Sequence, residues 1–125
     1  MRTTLSVTLT SYGAGPPESW HEIVDHAVLA EAAGVDRILL TDHVVMGENT
    51  AAYPFGEFPF APDVAWLEPL TVIAAMAART SRVRFSTKIL IAPLRPAPLL
   101  AKTLATLDAL SRGRIEVGVG TGWQR

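Results

Sequence analysis

The stretch Arg37-Ile38-Leu39-Leu40-Thr41-Asp42-His43 decides the reading of this chain. Arg37 to Leu40 is a short apolar run, the length of a buried strand, and it runs out into a carboxylate and an imidazole. The helical pattern before it closes at Gly34, and the segment after it is long and rich in aromatics and prolines. A chain that repeats strand and helix in this way keeps its chemistry at the C-terminal ends of its strands, in barrels and in open sheets alike. Asp42 and His43 stand at such an end.

Outward from that unit, Leu5 to Leu9 alternates apolar and polar residues and reads as a first strand. Gly13 to Pro17 is a turn-rich loop, and Pro17 suits a helix start, where its missing N–H is no loss. The first helix is predicted over Glu18 to Ala33, with Trp20, Ile23, Val24, Ala27, Val28 and Ala30 facing a sheet and Gly34 as its cap. The second strand is Asp36 to Leu40. Residues 41–65 form a long loop carrying Tyr53, Phe55, Phe58 and Phe60 between prolines; such a loop is a lid or binding element, or packs its aromatics on its own scaffold. Leu67 to Arg79 reads as a second helix with almost no polar face, which predicts burial on more than one side. A second copy of the chain is the expected cover, hence a homodimer.

Arg84 to Ile91 is the third strand, stopped by Pro93, Pro96 and Pro98. The third helix starts near Pro98, aligns Leu100, Leu104, Leu107 and Leu110, and closes at Gly113; Arg114 to Val119 is the fourth strand. Four strands alternating with three helices predict an α/β fold of parallel strands joined by right-handed crossovers.

Composition narrows the function. The chain has 125 residues, enough for one domain over 1–125, and 49% of them are hydrophobic, enough for a sizeable core. A net charge of −1 gives no reason to expect nucleic acid or a membrane surface as partner. The absence of cysteine excludes disulfides, thiolate catalysis and thiolate metal sites, and fits a cytoplasmic setting. The N-terminal residues lack an apolar signal segment, and no apolar run approaches the roughly 20 residues of a membrane span.

Several residues beyond Asp42 and His43 are candidates. Neighbours along a strand point to opposite sides, so either one of that pair faces the mouth of the fold and the other holds the loop, or Asp42 caps the loop and His43 is a satisfied interior polar residue. Gly118, Gly120 and Gly122 do not make a dinucleotide fingerprint, because the third glycine of that motif would fall on Trp123. They either leave room for a flat ring beside the backbone or accommodate a bend or neighbouring bulk. The abrupt end of the third strand at Leu90-Ile91-Ala92-Pro93 suits a bulge. Arg95, between prolines, is read as a solvated loop residue rather than an anion partner. Trp66 and Trp123 either flank a ring-shaped ligand or anchor packing. His21 and His26 are five apart, the wrong spacing for a shared metal, and are assigned to the surface; no metal site is expected.

Taken together, Thr41-Asp42-His43-Val44-Val45, Tyr53-Pro54-Phe55-Gly56, Pro62 to Leu70, Leu99 to Asp108, Leu110-Ser111-Arg112-Gly113-Arg114 and Gly118 to Trp123 resemble the luciferase-like monooxygenase superfamily, in particular its branch that uses the deazaflavin coenzyme F420. The resemblance implies a TIM-barrel fold, of which this chain is the N-terminal half, with a flavin or deazaflavin across the C-terminal mouth. It implies that Asp42 and His43 lie by the ring and substrate, with His43 and Asp42 as the catalytic pair. It implies a bulge with a non-prolyl cis peptide near Leu90, Ile91 and Ala92 backing the ring, and Gly118, Gly120, Gly122 and Trp123 lining it. Some deazaflavin dehydrogenases carry a proton-donating glutamate where this chain has Trp123, so a dehydrogenase-type acid is not expected there. The implied activity is an oxidoreductase moving a hydride between F420 and a small organic substrate. The alternatives are an FMN-dependent two-component monooxygenase and a non-catalytic half-barrel that only assembles or binds ligand.

Overall fold

The computed structural model describes residues 3–13, 19–44, 50–61 and 64–123. The elements run β1 (Ser6–Thr8), β2 (Tyr12–Gly13), α1 (Glu22–Ala32), β3 (Arg37–Leu40), β4 (Ala65–Trp66), α2 (Pro69–Arg79), β5 (Arg84–Ile91), α3 (Ala97–Ser111) and β6 (Ile115–Gly120), with a short 3-10 turn over Ala92–Leu94. Strands β1, β3, β5 and β6 form one sheet in that order, each pair parallel. The α/β alternation read from the sequence is therefore present, in register: Val7 lies opposite Ile38, and Ile38 opposite Phe85.

Alternation along each strand divides the sheet into two faces. Ile38, Leu40, Phe85 and Leu90 point toward the helices and are fully buried, against Ile23 and Ala27 of α1, Ile73 and Met76 of α2 and Leu107 of α3. Full burial of a side chain of this size contributes about 2 kcal/mol. The other face carries Arg37, Arg84 and Glu116, and both arginines pair with that glutamate.

The helices differ from expectation in instructive ways. Helix α1 begins at Glu22 rather than Glu18, because Ile23 and Val24 donate their N–H groups to Trp20 and His21, three residues back, in a tighter turn. Residues 14–18 lie outside the described residues. Helix α3 does not bury Leu110, which is 76% exposed; its buried stripe ends on Ser111 instead. At 100° per residue Ser111 falls about 20° from Leu100 around the helix axis and Leu110 about 80°. Helix α2 starts at Pro69 under Glu68, whose carboxylate accepts from the Thr71 N–H at 2.7 Å. It buries Leu70, Val72, Ile73 and Met76 and exposes Ala74, Ala75 and Ala78, so its apolar circumference is buried on one side only. A groove of about 560 Å³ runs between α2 and α3, with Leu99 and Leu110 on its border.

The loop over 41–65 ends in an element that two residues are too short to announce. Tyr12–Gly13 and Ala65–Trp66 form an antiparallel ribbon, and Leu67 donates to the Ser11 carbonyl at 2.8 Å. The C-terminal end of the aromatic loop is thereby fastened to the segment that follows β1, and the Ser11 hydroxyl donates to the Thr41 carbonyl at the loop's other end.

Candidate active site

All four strands of the main sheet are parallel, so their C-terminal ends share one rim, where β3 delivers Asp42 and His43, β5 delivers Ile91 and β6 delivers Gly120 to Trp123. The two residues have different surroundings, and Asp42 ties the end of β3 to the end of β5 rather than to the loop that follows it. The Asp42 side chain has no exposed surface; its carboxylate accepts from the Ile91 N–H at 2.8 Å and from both terminal nitrogens of Arg95 at 2.7 and 3.0 Å. His43 turns instead into a cluster of rings, with centroids at 4.4 Å from Trp66, 6.4 Å from Phe58 and 6.3 Å from Trp123. Burial lowers the His43 pKa below its ordinary 6.5, and the neighbouring Asp42 carboxylate only partly offsets that. The imidazole is therefore neutral near pH 7 and can offer one N–H donor and one lone pair.

Rings continue around it. Trp66 stacks on Tyr12 at 4.1 Å, while Phe58, Phe60 and Tyr53 meet edge to face and reach Trp123. The indole N–H of Trp66 is buried with no acceptor among the described residues. His21 and His26 lie on the exposed side of the molecule, and no group of three or more potential ligands gathers for a metal among the described residues. Among those residues no helix is long and apolar enough to cross a membrane.

The bulge is displaced from the expected place. The non-prolyl cis peptide joins Lys88 and Ile89, before Leu90, and the β5–β6 register shifts between Thr87 and Leu90. Leu90 is consequently a core residue with no exposure, Ile91 is buried behind Asp42, and Ala92 opens the 3-10 turn. The extra residue carries Ile89, 43% exposed, across the inner face onto β6. Gly118 and Gly120 make that possible: a Cβ at Gly118 would stand 2.5 Å from the Thr87 carbonyl oxygen, and one at Gly120 would overlap the Ile89 side chain. Gly122 has φ +80°, a conformation that favours glycine, and turns the chain so that Trp123 reaches the rings. Of the two readings of these glycines, neighbouring bulk is what occupies the space beside Gly120.

Arg95 requires a correction. It is not a solvated loop residue: its side chain is 14% exposed and it pairs with Asp42 and with Glu68, at 2.8 Å. Both partners lie far away in sequence, at 53 and 27 residues, and nothing local to Arg95 marks them. Ile89 was missed as well; it opens the apolar run Ile89-Leu90-Ile91 directly after Ser86-Thr87-Lys88, and nothing in that pattern sets it apart.

This arrangement meets its relatives at every level of comparison. The family model for luciferase-like monooxygenases matches residues 2–125, and the chain belongs to that family. It is 38% identical over 102 residues to an F420-dependent glucose-6-phosphate dehydrogenase of Intrasporangium calvum, covering 81% of this chain and 27% of that protein. Among solved structures, the monooxygenase RslO1 of Streptomyces bottropensis superposes with a TM-score of 0.65 at 29% identity, over 94% of this chain and 33% of that one. The oxygenating constituent of 3,6-diketocamphane monooxygenase from Pseudomonas putida, solved with FMN, superposes with a TM-score of 0.73 at 19% identity, over 97% and 30%. The chain thus spans about a third of the length of the relatives it matches, and its four strands are a partial half of their TIM barrel.

Proposed function

We propose that this chain forms the catalytic rim of an oxidoreductase that moves a hydride between coenzyme F420 and a small organic substrate. The observation that supports it most is His43: a half-buried imidazole held neutral, walled by rings at the strand ends, in a chain 38% identical over 102 residues to an F420-dependent dehydrogenase. The residues present suit a flat ring system. Ile89 offers an apolar surface on the inner face, the glycines of β6 let it lie close, and the Trp66 N–H lacks an acceptor.

When bound, the coenzyme supplies the carbon that gives or takes the hydride. The chain's own residues orient the substrate and handle its proton. His43 donates to, or accepts from, the substrate oxygen on which charge changes. The ring cluster of Tyr53, Phe58, Trp66 and Trp123 excludes water from that contact. Asp42 touches no substrate in this scheme; it holds the peptide from which His43 projects.

Titration with F420 and with FMN, followed by coenzyme fluorescence, tests the reading on a chain completed to the length of its relatives. Replacement H43N is expected to lower turnover about 100-fold, the usual scale for a proton-transferring group, while coenzyme affinity stays within about twofold. Unchanged turnover refutes the role, and failure of the completed protein to bind either coenzyme refutes the class. A second reading, an FMN-dependent monooxygenase, draws support from the likeness to a Streptomyces monooxygenase. Oxygen uptake with reduced FMN, set against anaerobic bleaching of F420 absorbance, separates the two.

A further inference from the structure

We propose that Arg95 is a positioning residue that sets the His43–Trp66 ring pair from behind, through the residues that carry the two rings. Asp42 is the chain neighbour of His43, and Glu68 lies two residues beyond Trp66. One guanidinium holds both: its two terminal nitrogens meet the two Asp42 oxygens at 2.7 and 3.0 Å, and one of them also reaches Glu68 Oε1 at 2.8 Å. A fourth hydrogen bond, at 3.3 Å to the Ile91 carbonyl, ties in the end of β5. The second Glu68 oxygen is already committed to the Thr71 N–H and hydroxyl, so the start of α2 is part of the same assembly. Three segments that are remote in sequence, around residues 42, 68–71 and 91–95, thus meet at one side chain, and two of them carry the rings whose centroids lie 4.4 Å apart.

The geometry requires arginine. A planar fork binds a carboxylate through two parallel bonds and fixes its orientation, whereas a lysine ammonium holds it from one point. The Asp42 side chain is wholly buried, so its carboxylate depends on Arg95 and the Ile91 N–H for its partners. Asp42 released from the fork can rotate, and the peptide bearing His43 moves with it. A displacement near 1 Å costs about 100-fold in rate when it misaligns reacting groups. The inference rests on His43 as the acting group of the proposed reaction, but its first test needs no coenzyme.

That test is an NMR comparison of isotopically labelled protein, following the His43 ring resonances and their cross-peaks to Trp66. R95A is expected to shift the His43 resonances and to lose at least half of the cross-peak intensity. Methylguanidinium, added at concentrations that do not denature, is expected to restore both, and R95K is expected to leave them lost. E31Q is the control: it loosens the opposite end of the sheet, so it should lower the unfolding midpoint with the His43 spectrum unmoved. A folded R95A or R95K protein with a wild-type His43–Trp66 pair overturns the proposal. If R95A does not fold, R95K alone decides, because it keeps the charge and lacks only the fork. In the completed enzyme R95K is expected to lower kcat about 100-fold with the coenzyme KM within about twofold. An inactive wild-type enzyme would refute the proposed reaction and leave the NMR result standing.

Discussion

The two ends of the sheet use the same charged residue types in different ways. At the N-terminal ends of the strands, Arg37 and Arg84 pair with Glu116, and two further charged side chains are directed at backbone. Glu31, in the last turn of α1, accepts from the N–H groups of Ser81, Arg82 and Val83 at 3.0, 2.6 and 2.7 Å. Arg114, 8% exposed, donates to the carbonyls of Ala77, Thr80, Val83 and Ser111 and to the Thr80 hydroxyl, and lies 5.5 Å from the Phe85 ring. Those carbonyls include the unpaired ends of α2 and α3, so one side chain caps two helices. At the C-terminal ends, Asp42, Arg95 and Glu68 bind mainly one another, and the adjacent imidazole is left among rings. The backbone groups around Glu31 and Arg114 are therefore satisfied from within the fold. The other end has a charge-clamped underside and an aromatic upper surface, at the end where barrel folds keep their chemistry.

The sharpest way to break this comparison is at Arg114. Substitution R114M keeps the apolar stem and strips the donors from a buried set of carbonyls. It is expected to cost about 3 kcal/mol or more, read as a lowered urea midpoint, because buried polar groups left without partners are among the largest single-site penalties. A loss under about 1 kcal/mol would mean that water replaces the guanidinium.

A smaller effect is expected from E31Q, about 2 kcal/mol at neutral pH, the scale of hydrogen bonds to a charged acceptor. Burial acts to raise the Glu31 pKa, but the backbone N–H groups of Val83, Arg82 and Ser81 outweigh it and hold the value at about 2, against an ordinary 4.5. The unfolded chain therefore takes up this proton first. The Glu31 contribution is complete above about pH 4.5 and is lost as pH falls toward 2. Wild type and E31Q should accordingly converge in acid, which denaturation midpoints across that range will show; a gap independent of pH would assign the loss to packing.

The smallest effect belongs to E68A. It removes the cap of α2 and one partner of Arg95, at about 1 kcal/mol. The comparison is sharpened if R95K, at the same rim, displaces His43 while costing no more stability than E68A.

Legibility in the sequence follows the range of the interaction. Strand β3 and its Asp42-His43 ending are set by neighbours within a few residues and by a period, so they can be read directly. The same holds for the body of α2, whose start lies two residues later than the Leu67 read from the pattern, and for the core stripe of α3 up to Leu107. Leu110 fails because a leucine that departs by a quarter turn from the stripe has the same letter as one that keeps to it. The ribbon of Tyr12–Gly13 with Ala65–Trp66 fails because two residues carry no period. Arg95 fails because its partner is 53 residues away, and an arginine between prolines looks the same solvated or clamped. The bulge was expected at the right strand but two residues late, since an apolar run does not show where it leaves register.

The ribbon also has a consequence for how this rim can diversify. Because Tyr12–Gly13 grips Ala65–Trp66, the C-terminal stem of the excursion after His43 is pinned beside the imidazole. Each doubling of a tethered loop costs only about 0.6 kcal/mol in closure entropy. Insertions in that excursion therefore cost little in closure, provided that Phe58 still meets His43 and Tyr53 still meets Trp123.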